Sequence, residues 1–298
     1  MKRIFFLLVL LPGIFISCEK SSNSSTASAE QAFLSQIKAL SFNKQRPESG
    51  VTNGIKEIWK AIKKAVVVVG ADVGGFFSGA GGAITFIKAT GGDPEQNVGW
   101  IIGAGVAVGA GASAKAGSSM VAPGGGGWNG QTGSGVNVIP NTQNMYSYAG
   151  AQHNSGLDIY ASNFGLWTNF QTVNVTGMTQ IFNTQLLPAF GGYTYPGQED
   201  DFAETIALTN ANSADDYNTF FTHLYEEGII NDVQYNTVKI YFENLETATS
   251  PQQVNTITDS FENTVIQSQL NATDKAMLLS SFAVSRYSFA YWYSLSAQ

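Results

Sequence analysis

Residues Ala65–Ile87 read AVVVVGADVGGFFSGAGGAITFI and Val98–Ala114 read VGWIIGAGVAVGAGASA, and these two stretches decide the fold. Asp72 is the one ionisable residue in either. Small residues recur at every fourth position. The first stretch carries Gly70/Gly74, Ser78/Gly82 and Gly75/Gly79/Ala83; the second carries Gly99/Gly103/Ala107/Gly111 and Gly105/Gly109/Ser113. That spacing lines residues up along one helix face, so each series predicts a smooth stripe on which another backbone can lie closely. Glycine costs a helix up to about 1 kcal/mol per position relative to alanine, a cost that close packing must offset. Between the stretches, Gly91-Gly92-Asp93-Pro94-Glu95 reads as a turn. The prediction is a helical hairpin over 51–116, packed through Gly70, Gly74, Gly75, Gly79, Gly82, Gly99, Gly103, Gly105, Gly109 and Gly111.

The first stretch is long enough to cross a bilayer. Its Gly, Ala and Ser add little hydrophobicity, and Asp72 costs about 2.5–3.5 kcal/mol on an insertion scale. Three states stay open on the sequence: packed against protein, inserted conditionally, or spanning constitutively. The approach to it places Ile58, Trp59 and Ile62 on one helix face and Lys56, Lys60, Lys63 and Lys64 on the other. This pattern, with its entry Lys56-Glu57-Ile58-Trp59-Lys60, resembles the glycine-zipper segments of secreted bacteriocin-type peptides, which implies membrane activity. A dinucleotide fingerprint is not present: Gly103-Ala104-Gly105 begins one, but its third glycine position is Val108.

Upstream, Lys2-Arg3 precedes the apolar run Ile4 to Leu11, and Ser17-Cys18 follows. A positive start, a short apolar stretch and a small residue at the cut site predict a secretory signal. Ser17-Cys18 resembles the lipobox of bacterial lipoproteins, which implies cleavage before Cys18 and acylation of that residue. Cys18 is the sole Cys of 298 residues, which excludes an internal disulfide and a multi-Cys metal site. Glu19 to Ala29 reads as a disordered tether, and Phe33, Ile37 and Leu40 predict a short amphipathic helix.

Charge divides the chain. Residues 1–115 hold 12 Lys/Arg against 7 Asp/Glu, or +5; residues 116–298 hold 3 against 15, or −12. The two sum to the net charge of −7. An acidic half repels nucleic acid, so no nucleic-acid partner is expected. Gly124 to Gly127 mark a flexible linker over 117–144, and residues 145–298 read as helices throughout. Ser213-Ala214-Asp215-Asp216, Ser250-Pro251-Gln252-Gln253 and Thr273-Asp274 are helix starts, and Gly228 is a stop. The fold class is all-α, a glycine-rich hairpin followed by a multi-helix acidic domain. The boundaries are a signal peptide at 1–17, a tether with a short helix at 18–50, the hairpin, the linker, and the acidic domain at 145–298.

Within that domain, Tyr148-Ala149-Gly150-Ala151-Gln152-His153-Asn154-Ser155-Gly156-Leu157 and Ser285-Arg286-Tyr287-Ser288-Phe289-Ala290-Tyr291-Trp292 carry a second resemblance. They are similar to a group of uncharacterised bacterial exported proteins sharing a Gly-x-x-His-Asn-x-x-Leu helix, an Arg-Tyr-Ser-x-x-Tyr-Trp helix and a glycine-rich Trp/Asp segment. Asp72 takes the Asp position of that segment. The resemblance implies architecture and export. His153, Asn154, Asp72 and Arg286 are the candidate binding residues. His153 and Asn154 are expected to bind helix backbones or water in the core, and Arg286 to pair with a carboxylate. No catalytic residue, metal or cofactor is expected: position 157 is Leu where a metal helix would carry a ligand, and no Gly-x-Ser-x-Gly sits in a strand–helix setting.

The functional expectation is a non-enzymatic lipoprotein of a Gram-negative envelope, on its periplasmic side or at the cell surface. Its membrane partner is reached through Cys18, and its hairpin mediates self-association or contact with a second membrane. The alternatives are a bacteriocin-like membrane-active effector and a His153-centred metal-binding protein or hydrolase.

Overall fold

A computed structural model describes residues 23–40, 42, 53–119, 137–163, 175–189 and 217–296. The signal segment 1–17, Cys18, the Gly124–Gly127 run, Glu199 to Asp201 and Ser213 to Asp216 lie outside the described residues. Every regular element among the described residues is helical. In chain order these are α1 (Asn23–Ala39), α2 (Asn53–Ala89), a 3-10 turn (Pro94–Asn97), α3 (Val98–Ser119), α4 (Tyr148–Ser162), α5 (Val175–Ile181), α6 (Tyr217–Glu226), α7 (Asp232–Leu245), α8 (Pro251–Gln267) and α9 (Ala272–Ser296). A π turn (Phe182–Leu186) and a last helical turn (Leu187–Ala189) continue α5.

Helices α2 and α3 run antiparallel in close contact. A Cβ added at Gly109 would meet the Asp72 carbonyl at 2.9 Å, one at Gly105 the Phe76 carbonyl at 2.8 Å, and one at Gly79 the Ala104 carbonyl at 2.5 Å. Backbone faces backbone, so no residue larger than glycine fits without moving a helix. The other stripe of α2 meets a different partner. Cβ atoms at Gly70 and Gly74 would strike the side chains of Tyr217 and Phe220 on α6, at 2.7 and 2.1 Å. One glycine series therefore seats α3, and the other receives aromatic rings. Gly103 and Gly111 are buried, Gly82 is half-buried and Gly99 is exposed. The turn between the helices uses Gly91, whose φ of +77° favours glycine, and Asp93, whose carboxylate accepts from the Glu95 amide.

Helix α9 lies along α2 and also touches α3, α4, α7 and α8. It is apolar or small on nearly every side, which is how a helix surrounded by others reads. On the far side α8 packs on α7 and α9, and α1 lies against α7 and α8 through the buried Phe33 and Ile37. Residues of α2 and α3 join those of α4 to α9 in one core cluster.

Local signals explain the remaining ends. Ser250 accepts from the Gln253 amide with Pro251 in the first turn, and Asn231 and Gln234 form a reciprocal cap at the start of α7. Gly228, at φ +69°, ends the turn after α6. Three expectations are corrected. Helix α1 starts at Asn23, inside the predicted tether, because the Ser/Thr/Ala run before Phe33 holds no Gly or Pro to stop it. Asn271, not Thr273-Asp274, caps α9: its side chain accepts from the Asp274 amide at 2.8 Å. The end of the predicted flexible linker is pinned, since Asn144 is buried and donates to Glu262 and to the Leu279 carbonyl, both at 2.9 Å.

Two segments, Lys56–Ala89 and Pro94–Gly117, are long and apolar enough to cross a membrane, and 78% of an 18-residue apolar window in each is buried inside the fold.

Candidate functional site

Successive residues on a helix point about 100° apart, and on the surrounded helix α9 three of them serve three neighbours. Arg286 faces α8, where it donates to Asp259 at 2.6 Å and Glu262 at 2.7 Å. Tyr287 packs its ring over Gly150 of α4, and its carbonyl accepts from the Asn154 amide at 3.1 Å. Ser288 faces α2 and donates to the Asp72 carboxyl. One turn on, the Trp292 indole N–H donates to the Ser113 hydroxyl of α3 at 2.9 Å. Ser113 is itself bonded to Asp72. Four helices thus meet at Asp72.

His153, on the inward face of α4 with Ala149, Leu157 and Tyr160, completes the set. Its Nε2 lies 3.7 Å from Asp72 Oδ2, beyond hydrogen-bond reach, and its Nδ1 lies 3.3 Å from Asn154 Oδ1. The Tyr287 carbonyl only accepts, so it fixes the Asn154 amide with its oxygen toward the imidazole. That oxygen also only accepts, so the imidazole proton belongs on Nδ1. Nε2 is then a bare lone pair turned toward Asp72. The His153 ring lies against Gly109, where an added Cβ would stand in ordinary van der Waals contact with it at 3.6 Å.

Asp72 and His153 have no exposed surface. Burial holds the Asp72 carboxyl well above its usual range, against the hydrogen bonds of Ser113 and Ser288. Burial likewise pushes His153 down to about 4, against Asn154 and the Gly109 backbone. His153 is therefore neutral, and burial favours the protonated form of Asp72, which beside a bare imidazole nitrogen avoids the repulsion that a carboxylate would meet there. Asp72 Oδ1 and His153 Nε2 are buried without a hydrogen bond.

Of the sequence candidates, Asp72, His153 and Asn154 come together, while Arg286 belongs to a separate cluster. There, burial works against the Arg286 charge, but Glu262 and Asp259 outweigh it and raise the guanidinium above its usual value. Asn144 braces Glu262 from the other side. Ser113, Ser288, Tyr287 and Trp292 were not singled out for the Asp72 cluster. The available signal is the run Ser285-Arg286-Tyr287-Ser288, four polar groups in succession in the second half of the helix. Tyr291 is buried and its hydroxyl donates to Asp158 at 3.4 Å.

Chemically the arrangement is closed. The hydroxyl nearest the pair, Ser288, is bonded to the acid and not to the imidazole, so there is no nucleophile–base contact. Among the described residues no three His, Cys, Asp or Glu side chains gather as a metal site would need. Comparison with protein-family models, characterised proteins and solved structures finds no match.

Proposed function

We propose that this protein is a non-enzymatic lipoprotein of a Gram-negative envelope, held to its membrane through Cys18. In this reading a glycine-zipper hairpin, followed by an acidic multi-helix domain, acts by contact with a membrane or a second copy. The observation that carries it is the sealed polar set around Asp72. Its side chains join α2, α3, α4 and α9, and Asp72, Ser113, His153 and Ser288 are buried among the described residues. A buried polar network of this kind specifies which helices meet, a structural task. The burial of both apolar windows supports the hairpin as part of the folded body when the protein is not engaged.

The test is metabolic labelling with radioactive palmitate in an expressing Gram-negative host. Label on the wild-type chain and none on Cys18→Ser is the expected result. An unlabelled wild type, or a labelled Cys18→Ser chain, overturns the anchoring.

A further inference from the structure

We propose that the first turns of α2, from Lys56 to Lys64, form a docking surface for anionic phospholipid. The inference rests on the membrane-anchored reading and identifies the partner lipid chemistry and the side chains that meet it.

The geometry begins with the antiparallel register. Asp72 lies beside Gly109, and ten residues further along each helix Ser119, the last of α3, comes level with Ile62. Lys56 to Ala61 continue α2 beyond that level. Lys56, Lys60 and Lys64 are exposed and Lys63 is half-buried, spaced at i, i+4, i+7 and i+8 along one face. Glu57 is the one acid among them, and Lys60 holds it at 2.8 Å. The surface carries an aromatic ring as well as charge: the half-buried Trp59 ring carries the Lys63 ammonium 5.3 Å from its centroid. Ammonium groups beside an indole match a phospholipid interface, where cations meet phosphates and Trp sits at headgroup level.

Residues 116–298 carry −12, so an anionic bilayer repels that half while attracting the lysines of α2. A chain acylated at Cys18 would already be at a bilayer, and the patch then sets how the body lies on it. An acidic face on a second copy is the competing partner.

The experiment places the acylated full chain on vesicles of brominated phosphatidylcholine, alone or mixed with brominated phosphatidylglycerol, and reads tryptophan quenching. Trp59→Phe subtracts the other indoles. The expected result is Trp59 quenching that appears only with phosphatidylglycerol and is lost in high salt. Replacing Lys56, Lys60, Lys63 and Lys64 by Gln should lower the docked-to-undocked ratio about fivefold per lysine. Quenching that ignores lipid charge overturns the proposal. So does Trp59 left unquenched on anionic vesicles, or a lysine variant that changes only the molar mass in solution. Failure of anchoring reads out separately, as a chain that does not bind neutral vesicles at all.

Discussion

Two carboxyl groups are buried against α9, and the helix accommodates them in opposite ways. Glu262 meets Arg286, with Asp259 on the same guanidinium and Asn144 completing its hydrogen bonds. Asp72, reached by Ser288 two residues further along, meets hydroxyls and a neutral imidazole, and its burial favours the protonated form. One cluster answers burial with a counter-charge, and in the other burial works against the charge itself. The difference follows from surroundings. The Arg286 cluster borders the surface, where Asp259 is 48% exposed. Asp72 sits fully buried between glycine-packed helices. Charged pairs are brittle when one partner is lost, whereas neutral pairs tolerate replacement by neutral isosteres.

The largest effect should come from breaking the charged cluster. Arg286→Ala strands Glu262 in the interior, and urea unfolding should show a loss of about 3–5 kcal/mol. Replacing both partners together, as Arg286→Met with Glu262→Leu, should recover much of that loss. If the double variant is as unstable as the single one, the unpaired Glu262 charge is not the cause of the loss. The next largest effect tests the glycine packing beside the other cluster. Gly79→Ala drives a methyl into the Ala104 carbonyl, and a backbone cannot step aside, so about 3 kcal/mol should be lost. At Gly74 the obstacle is the Phe220 ring, which can turn, so Gly74→Ala should cost about half as much. Equal losses in thermal unfolding would contradict this division between backbone and aromatic stripes.

The stripes themselves were legible because four-residue spacing is a local property of the chain. Which stripe meets which helix was not: Gly74 and Gly75 belong to equivalent series, and the rings that separate them, Tyr217 and Phe220, lie far away in sequence. The same distance hid the Asp72 cluster. Ser288 is 216 residues from Asp72, and a serine in an apolar helix carries no sign of its partner. His153 and Asn154 stood out through composition, since the chain has two His, but the tautomer depends on the Tyr287 carbonyl. Thr273-Asp274 offers a stronger local pattern than Asn271, which caps α9 through the Asp274 amide.

Asp72→Asn gives the smallest change and separates the two clusters most cleanly. An amide matches a protonated carboxyl in shape, accepts from Ser288, and supplies an N–H toward Ser113 or the bare His153 nitrogen. At neutral pH the variant should be at least as stable as the wild type, by about 1 kcal/mol, because it no longer has to keep a proton that the unfolded chain releases. The pH dependence gives an independent sign. Asp72 is raised in the fold, so its stabilisation is full below its unfolded value of 3.8 and is lost as pH rises. His153 is lowered from 6.5 to about 4, so its stabilisation is full above 6.5 and is lost as pH falls toward 4. Between those values the two slopes oppose each other in the wild type. Removing the Asp72 slope should leave the variant gaining stability from pH 4 to 6.5, by about 3 kcal/mol if His153 acts alone. Urea titrations across that interval read the difference directly. A variant that loses several kcal/mol at neutral pH would mean that Asp72 is ionised and that His153 carries the charge, which would make the two clusters alike.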